Sequence, residues 1–376
     1  MVKIVIIGGG AAGMACAARL AGAGREIVLL ERGDRLGRKL SATGNGQGNV
    51  TNMNMDVSHY FTDDREKAAR ILARCGAHDV ICFLEEMGGL FLPDARGRVY
   101  PAGRQASAVT DLLRRELSLR AVDVRTGTRV EKLAWDGAFR LSFAGGTLRA
   151  DAVVLAAGGA AARQFGTDGT AYALAGAFGH TLAPISPVLV QLRCDPAAVR
   201  GLKGIRVDAG LRVLRGGRQI YACRGDVLFT ESGVSGDAVF RASSHARAGD
   251  VLELDFLPDT GPEALAHAVR EGAEGLWCVV SNGLGRHIFR LAQGNRARVL
   301  SLLKAFPLNV TGTLGFDYAQ ATRGGIPLAE VTDSLMRAYR SGLYFAGEIL
   351  NVDGECGGYN LHWAFASALA VAEALK

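Results

Sequence analysis

The chain has 376 residues, 49% hydrophobic and 21% charged, with 43 Lys and Arg against 37 Asp and Glu and a pI near 9.0. That length suits two or three domains, and the composition excludes a disordered or fibrous chain. No apolar run is long enough to span a bilayer, no secretory leader is visible, and the net charge of +6 is scattered, its densest run being Arg212–Arg218; a cytoplasmic protein with a solvated surface and no nucleic-acid footprint is expected.

The apolar run Ile4–Ile7 reads as a buried parallel strand. It leads into Gly8, Gly10 and Gly13, the G-x-G-x-x-G spacing. Gly8 permits the tight turn, Gly10 admits a pyrophosphate against the backbone, and Gly13 lets the next helix (14–23) lie close to the sheet. That helix offers free N–H groups and a positive dipole end to phosphate. A second strand, Ile27–Leu30, ends in Glu31, placed to accept the hydroxyls of an adenosine ribose. Residues 35–52, rich in Gly, Asn, Ser and Thr, suit a loop running along an extended cofactor.

Helices are expected over 64–75, 78–86 and 106–117, with a short strand or turn at 97–101. Residues 122–135, 139–143 and 147–149 read as an antiparallel meander with Gly turns. Asp151–Gly159 is another buried strand ending in small residues, a second close approach of backbone to cofactor. From Val188 the pattern changes to short strands (188–193, 205–213, 219–223, 227–230 and 251–256) suggesting a sandwich or barrel. Residues 258–306 are largely helical and 318–331 loop-like. A final strand, 343–348, precedes the glycine-rich turn Asp353–Tyr359, which launches a last helix over 360–375. The seven cysteines are widely spaced with no C-x-x-C, so reduced thiols and no metal site are expected.

These segments resemble the BaiN/RdsA-like family of NAD(P)/FAD-dependent oxidoreductases, glutathione-reductase-like flavoproteins also labelled aminoacetone oxidase family FAD-binding enzymes. The resemblance rests on Gly8–Gly13, Gly37–Lys39, Thr43–Asn52, Ala156–Gly159, Phe229–Gly236, Arg323–Gly325 and Gly347–Asn360. It implies an α/β fold with an α+β insert: a Rossmann-like FAD-binding domain carrying an antiparallel β-meander, an inserted β-barrel-like module and a small helical module. The expected bounds are 1–187 with 307–376 for the FAD-binding domain, 188–257 for the barrel and 258–306 for the helices. Three positions depart from the family pattern. Gln47-Gly48 stand for its Arg-Cys, Glu231 for its His, and Asp237 for its Pro.

Resident FAD is expected, with NADH or NADPH as a transient hydride donor, since no second G-x-G-x-x-G is present. The expected FAD contacts are Gly8, Gly10, Ala11, Ala12, Gly13, Glu31, Arg32, Arg38, Lys39, Gly44, Asn45, Gly46, Asn49, Val130, Ala156, Ala157, Gly158, Gly347, Glu348, Asp353, Gly357, Gly358, Tyr359 and Asn360. Asp353 is placed near the ribityl chain or pyrophosphate, and the head of the last helix at the flavin edge. Catalytic candidates are Tyr359 as proton donor or ring packing, Arg323 on a substrate carbonyl or carboxylate or else as a plain surface arginine, and Glu231 as an acid or a loop hydrogen-bonding residue. His362 suits packing better than chemistry, and Cys356, although it falls near the expected cofactor, has no partner cysteine for a disulfide relay. Phe229, Leu284, Ile288 and Phe289 either line a cleft for a flat apolar substrate or form the insert's own core. The expected function is NAD(P)H-driven hydride transfer through flavin N5 to an enone-like steroid or bile-acid substrate. A flavin amine oxidase and a non-redox, RNA-associated FAD protein are the alternatives.

Overall fold

A computed structural model describes residues 1–22, 24–269, 276, 278–336 and 340–376. In chain order it contains β1 (Val2–Ile7), α1 (Ala11–Leu20), β2 (Arg25–Leu30), β3 (Thr51–Asn52), β4 (Tyr60–Thr62), α2 (Arg65–Arg74), α3 (Ala77–Glu85), β5 (Phe91–Pro93), β6 (Arg98–Pro101), α4 (Ala106–Leu119), β7 (Asp123–Arg125), β8 (Val130–Trp135), β9 (Phe139–Phe143), β10 (Gly146–Ala150), β11 (Ala152–Leu155), α5 (Tyr172–Gly176) and β12 (Ala183–Val188). There follow β13 (Leu192–Cys194), α6 (Pro196–Val199), β14 (Arg206–Arg215), β15 (Arg218–Phe229), β16 (Gly233–Ser235), α7 (Asp237–Ser243), β17 (Val251–Asp255), α8 (Pro262–Ala268), α9 (Asn282–Leu291), α10 (Arg296–Lys304) and β18 (Phe306–Thr313). The chain ends with β19 (Ala321–Gly325), β20 (Leu343–Phe345), β21 (Val352–Gly354) and α11 (Tyr359–Ala374). Two compact units result, residues 1–187 with 321–376, and residues 188–320.

The first unit is built on a five-stranded sheet in the order β20-β11-β1-β2-β7, its pairs all parallel. Ile4–Ile7 and Val153–Leu155 are almost wholly buried, as the continuous apolar runs require of strands covered on both faces. Helices α1 and α11 pack together. The Ala, Gly and Cys side chains of α1 keep its surface thin enough for that approach. Strands β8, β9 and β10 form the antiparallel meander. Residues 123–125, expected in the meander, instead extend the parallel sheet as β7, because their register pairs them with Val28–Leu30.

The second unit contains a closed barrel in the order β13-β16-β15-β14-β17-β18. Ala209, Leu211 and Val213 of β14, Leu252 and Leu254 of β17, and Phe306, Leu308 and Val310 of β18 are buried at alternate positions, the period of a strand with one face on a core. The expected boundary at 306/307 is corrected here. β18 pairs with both β13 and β17 and closes the barrel, so the chain leaves this unit only after Gln320. Two expected strands, 219–223 and 227–230, are one continuous β15. The expected loop at 318–331 contains β19. Within the helical stretch, residues 270–275 and 277 lie outside the described residues.

Candidate functional site

The three glycines of the first motif meet different surroundings. Gly8 has φ +110°, and an added Cβ would fall 2.5 Å from the Ala156 carbonyl oxygen. At Gly13 that atom would lie 1.8 Å from the Gly8 carbonyl oxygen. Around Gly10 nothing lies within 4 Å. Gly8 and Gly13 are therefore closed by the protein itself, while Gly10 borders open space at the head of α1. The first turns of α1 and α11 carry no side-chain cap and no acidic residue of their own.

The Glu31 carboxylate accepts from the N–H of Gly9 at 2.7 Å and of Gly33 at 2.6 Å. Each oxygen keeps a further lone pair for a ribose hydroxyl. Thr128 donates its N–H to the Glu31 carbonyl and Gly127 to that of Gly33, which brings the segment leading to the buried Val130 against the same turn. Arg32 grips Asp168 through two nitrogens at 2.6 and 2.9 Å, and that contact holds the Asp168 carboxyl well below the usual carboxylate range. Arg38 donates to the Gln164 carbonyl at 3.0 Å. Lys39 lies 2.7 Å from Glu348.

Glu348 also accepts the N–H of Thr322 at 2.9 Å. The buried Thr322 hydroxyl in turn accepts the N–H groups of Ala160 and Ala161. Thr322 thus fixes the loop that follows Ala156, Ala157 and Gly158, and nothing in its residue type announced that role. Gly347 packs on Ala12 of α1 and is held by Ser367 and Trp363 of α11.

Gly44, Asn45 and Gly46 all have left-handed φ, and an added Cβ at Gly46 would meet nothing within 4 Å. Gly48 explains one departure from the family pattern. Its φ is +76° and an added Cβ would lie 2.9 Å from Ala106 Cα, so this backbone excludes a cysteine side chain there. Asn49 is 8% exposed, and its Oδ1 has no partner among the described residues. Gly358, at φ +102°, lies against both Asn49 and the Thr51 carbonyl. Asn360 accepts from the Gly354 N–H and donates to the Gly354 carbonyl, which locks the turn ahead of α11.

Three expected site residues turn inward. Arg323 and Asp353 bind each other, with nitrogens 3.0 and 2.8 Å from the carboxylate, and the guanidinium lies 3.9 Å over Phe61. Burial pushes the Asp353 carboxyl up, against the opposing pull of Arg323. Arg323, expected at a substrate group, and Asp353, expected at the cofactor, are thus joined as a brace. Tyr359 is 5% exposed and stacked on His59, and burial pushes its hydroxyl to about 12. His362 bridges Thr51 and the Cys75 carbonyl, and burial lowers it to about 4. Since the carbonyl can only accept, Nε2 carries the proton, and His362 is a neutral strut.

In the second unit, Glu231 is largely exposed and pairs with exposed Lys203 at 2.9 Å. Asp237 begins α7 and pairs with Arg241 one turn on, a favourable end for an acid. Phe229, Leu284 and Ile288 are buried in that unit's own core, with Phe289 packed against it. Tyr172, missed in the sequence, is buried with its hydroxyl unpartnered among the described residues. Among the described residues there is no metal-binding cluster, no disulfide, and no helix long and apolar enough to cross a membrane.

The open edge at Gly10, the spare lone pairs of Glu31, two uncapped helix heads and the orphaned Asn49 Oδ1 fit an extended dinucleotide with phosphates at its centre. A family model described as HI0933-like protein Rossmann domain matches residues 2–374. The 3-dehydro-bile acid delta(4,6)-reductase of Clostridium scindens is 35% identical across 98% of this chain and 97% of its own length. The ribosomal RNA dihydrouridine synthase of Escherichia coli is 29% identical across 99% and 97%. A 3-ketosteroid-delta4-(5alpha)-dehydrogenase from Rhodococcus jostii, solved with 4-androstene-3,17-dione, shares the fold at TM-score 0.55 and 19% identity, covering 99% of this chain and 97% of that one. The chain belongs to the HI0933-like, BaiN/RdsA-like family of FAD-binding Rossmann proteins and is an FAD-dependent oxidoreductase.

Proposed function

We propose that this protein reduces a C=C bond conjugated to a carbonyl in an apolar, enone-like substrate of steroid or bile-acid type, with NADH or NADPH as the source of hydride. The observation that carries this reading is the end-to-end 35% identity to the Clostridium scindens reductase. FAD, when bound, supplies the two-electron chemistry that the side chains of this chain lack. The protein's part is to hold and orient. Gly10 and the head of α1 receive the pyrophosphate, Glu31 the ribose hydroxyls, and Asn49 with Gly357 and Gly358 the ring end. The head of α11 stabilises negative charge developing beside it. Nicotinamide visits the site transiently.

The Escherichia coli relative favours a second reading, reduction of uridine in RNA, which is also saturation of a C=C bond conjugated to a carbonyl. The two readings share their bond chemistry and differ in substrate shape. Anaerobic mixing with NADH or NADPH should bleach the flavin's yellow colour. Adding a 3-keto-Δ4-steroid should restore it and yield the saturated ketone. Recovery with uridine-containing RNA alone moves the assignment to the second reading, and absence of bleaching with either donor removes both.

A further inference from the structure

Strands β4 and β21 pair antiparallel, with Tyr60 opposite Gly354 and Phe61 opposite Asp353. One residue beyond, the Glu355 N–H donates to the His59 carbonyl at 2.9 Å. The side chains meet as well: His59 Nδ1 lies 3.0 Å from a Glu355 carboxylate oxygen. The imidazole also stacks on Tyr359, with centroids 4.4 Å apart and planes 20° from parallel. The ring is thus held at one edge and on one face. Among the described residues nothing hydrogen-bonds its Nε2, and the side chain is 32% exposed.

A carboxylate on Nδ1 fixes the tautomer and orientation of an imidazole and leaves Nε2 to exchange protons. Tyr359 at the head of α11 stacks on His59, and Asp56 on its own turn interacts electrostatically with it and also with Arg65 at the start of α2. Tyr359 is the first residue of α11, directly after the Gly357-Gly358 turn that adjoins Asn49. His59 therefore lies one ring from the expected flavin end of the site.

We propose that His59 is the catalytic proton donor of the reduction and that Glu355 positions it; this rests on the reading of the chain as a reductase of conjugated C=C bonds. Saturation requires one hydride and one proton. The hydride carries both electrons, originates from NAD(P)H, which becomes NAD(P)⁺, and ends on the carbon β to the carbonyl. The alkene π pair then takes the proton from His59 Nε2 and forms the C–H bond at the α carbon. Water reprotonates the neutral imidazole, while Glu355 stays a carboxylate throughout. Tyr359 contributes the stacking surface.

The test separates the two half-reactions in His59→Gln, with flavin content and circular dichroism as checks on folding. Flavin bleaching by NAD(P)H serves as internal control. Recovery of colour on adding the enone should slow by about 10²–10⁴-fold, the usual contribution of a positioned acid. Glu355→Gln should slow it less, and free imidazole should restore part of the rate in His59→Ala. By NMR, the histidine ring signal absent from His59→Gln should shift when the saturated ketone is added to the wild-type protein. If wild-type reduced protein is recoloured by no enone, the reductase reading falls. If it is recoloured, and His59→Gln matches it in rate and pH dependence, the proton-donor assignment is overturned and the reading stands.

Discussion

The two units use polar groups differently. The barrel unit places most of its charges at the surface in pairs, such as Arg224 with Asp208 and Lys203 with Glu231, packs its interior with Phe229, Phe256, Phe306 and aliphatic chains, and gives the buried Asp250 and His287 partners in Arg215 and the Ala198 carbonyl. The parallel-sheet unit buries Asn49, Thr51, Thr322, Asp353 and His362, and spends hydrogen bonds on holding its loops in place. Burying such groups is costly unless each finds a partner, and one amide oxygen among them has none. Chemistry is read from that contrast. A unit whose polar groups satisfy one another stabilises itself, whereas one that carries both an orphan acceptor at Asn49 and an open edge at Gly10 is built for a ligand.

The sharpest break in the comparison is Gly13→Ala. Its Cβ would enter the Gly8 carbonyl, so the parallel-sheet unit should fail to fold, a loss of more than about 4 kcal/mol read as absent soluble protein. Next is Phe229→Ala in the barrel core, which should cost about 3–5 kcal/mol in chemical denaturation and leave flavin content per folded chain unchanged. Lost flavin in that variant would tie the barrel core to cofactor binding.

A smaller effect is pH-dependent. The folded state holds His362 at about 4 against an ordinary 6.5. Below about 6.5 the unfolded chain takes a proton that the folded chain refuses. His362 therefore adds its full share of stability above that pH and loses it as the pH falls, by about 3 kcal/mol on reaching pH 4. His362→Gln should flatten the slope of stability between pH 6.5 and 4; an unchanged slope would place the titration elsewhere. The smallest effect is Glu231→Ala, which removes only an exposed ion pair with Lys203. Melting temperature and turnover should both stay at wild-type values, and a large fall in turnover would return Glu231 to the catalytic list.

The nucleotide-binding core was legible because its signals are local. The apolar run 4–7, the glycine spacing and Glu31 lie within about thirty residues of one another, and each has a distinct backbone task. The closing barrel strand was not, since Phe306–Thr313 has strand alternation but pairs with partners far away in sequence. The same holds inside the site. Arg323 and Asp353 each read as ligand-facing, and only their register in the folded chain joins them. Thr322 and His59 lie in no motif, and Glu355 sits inside one without being singled out by it; their roles arise from tertiary contacts between segments 162 and 296 residues apart.

The central claim is that the open edge at Gly10 belongs to FAD. Gly10→Val is the direct measurement, because the backbone around it tolerates a side chain while the space beyond it does not tolerate both side chain and cofactor. The account predicts a folded, colourless protein whose apo melting transition matches that of wild-type protein stripped of flavin. A yellow Gly10→Val protein with wild-type flavin content would contradict it.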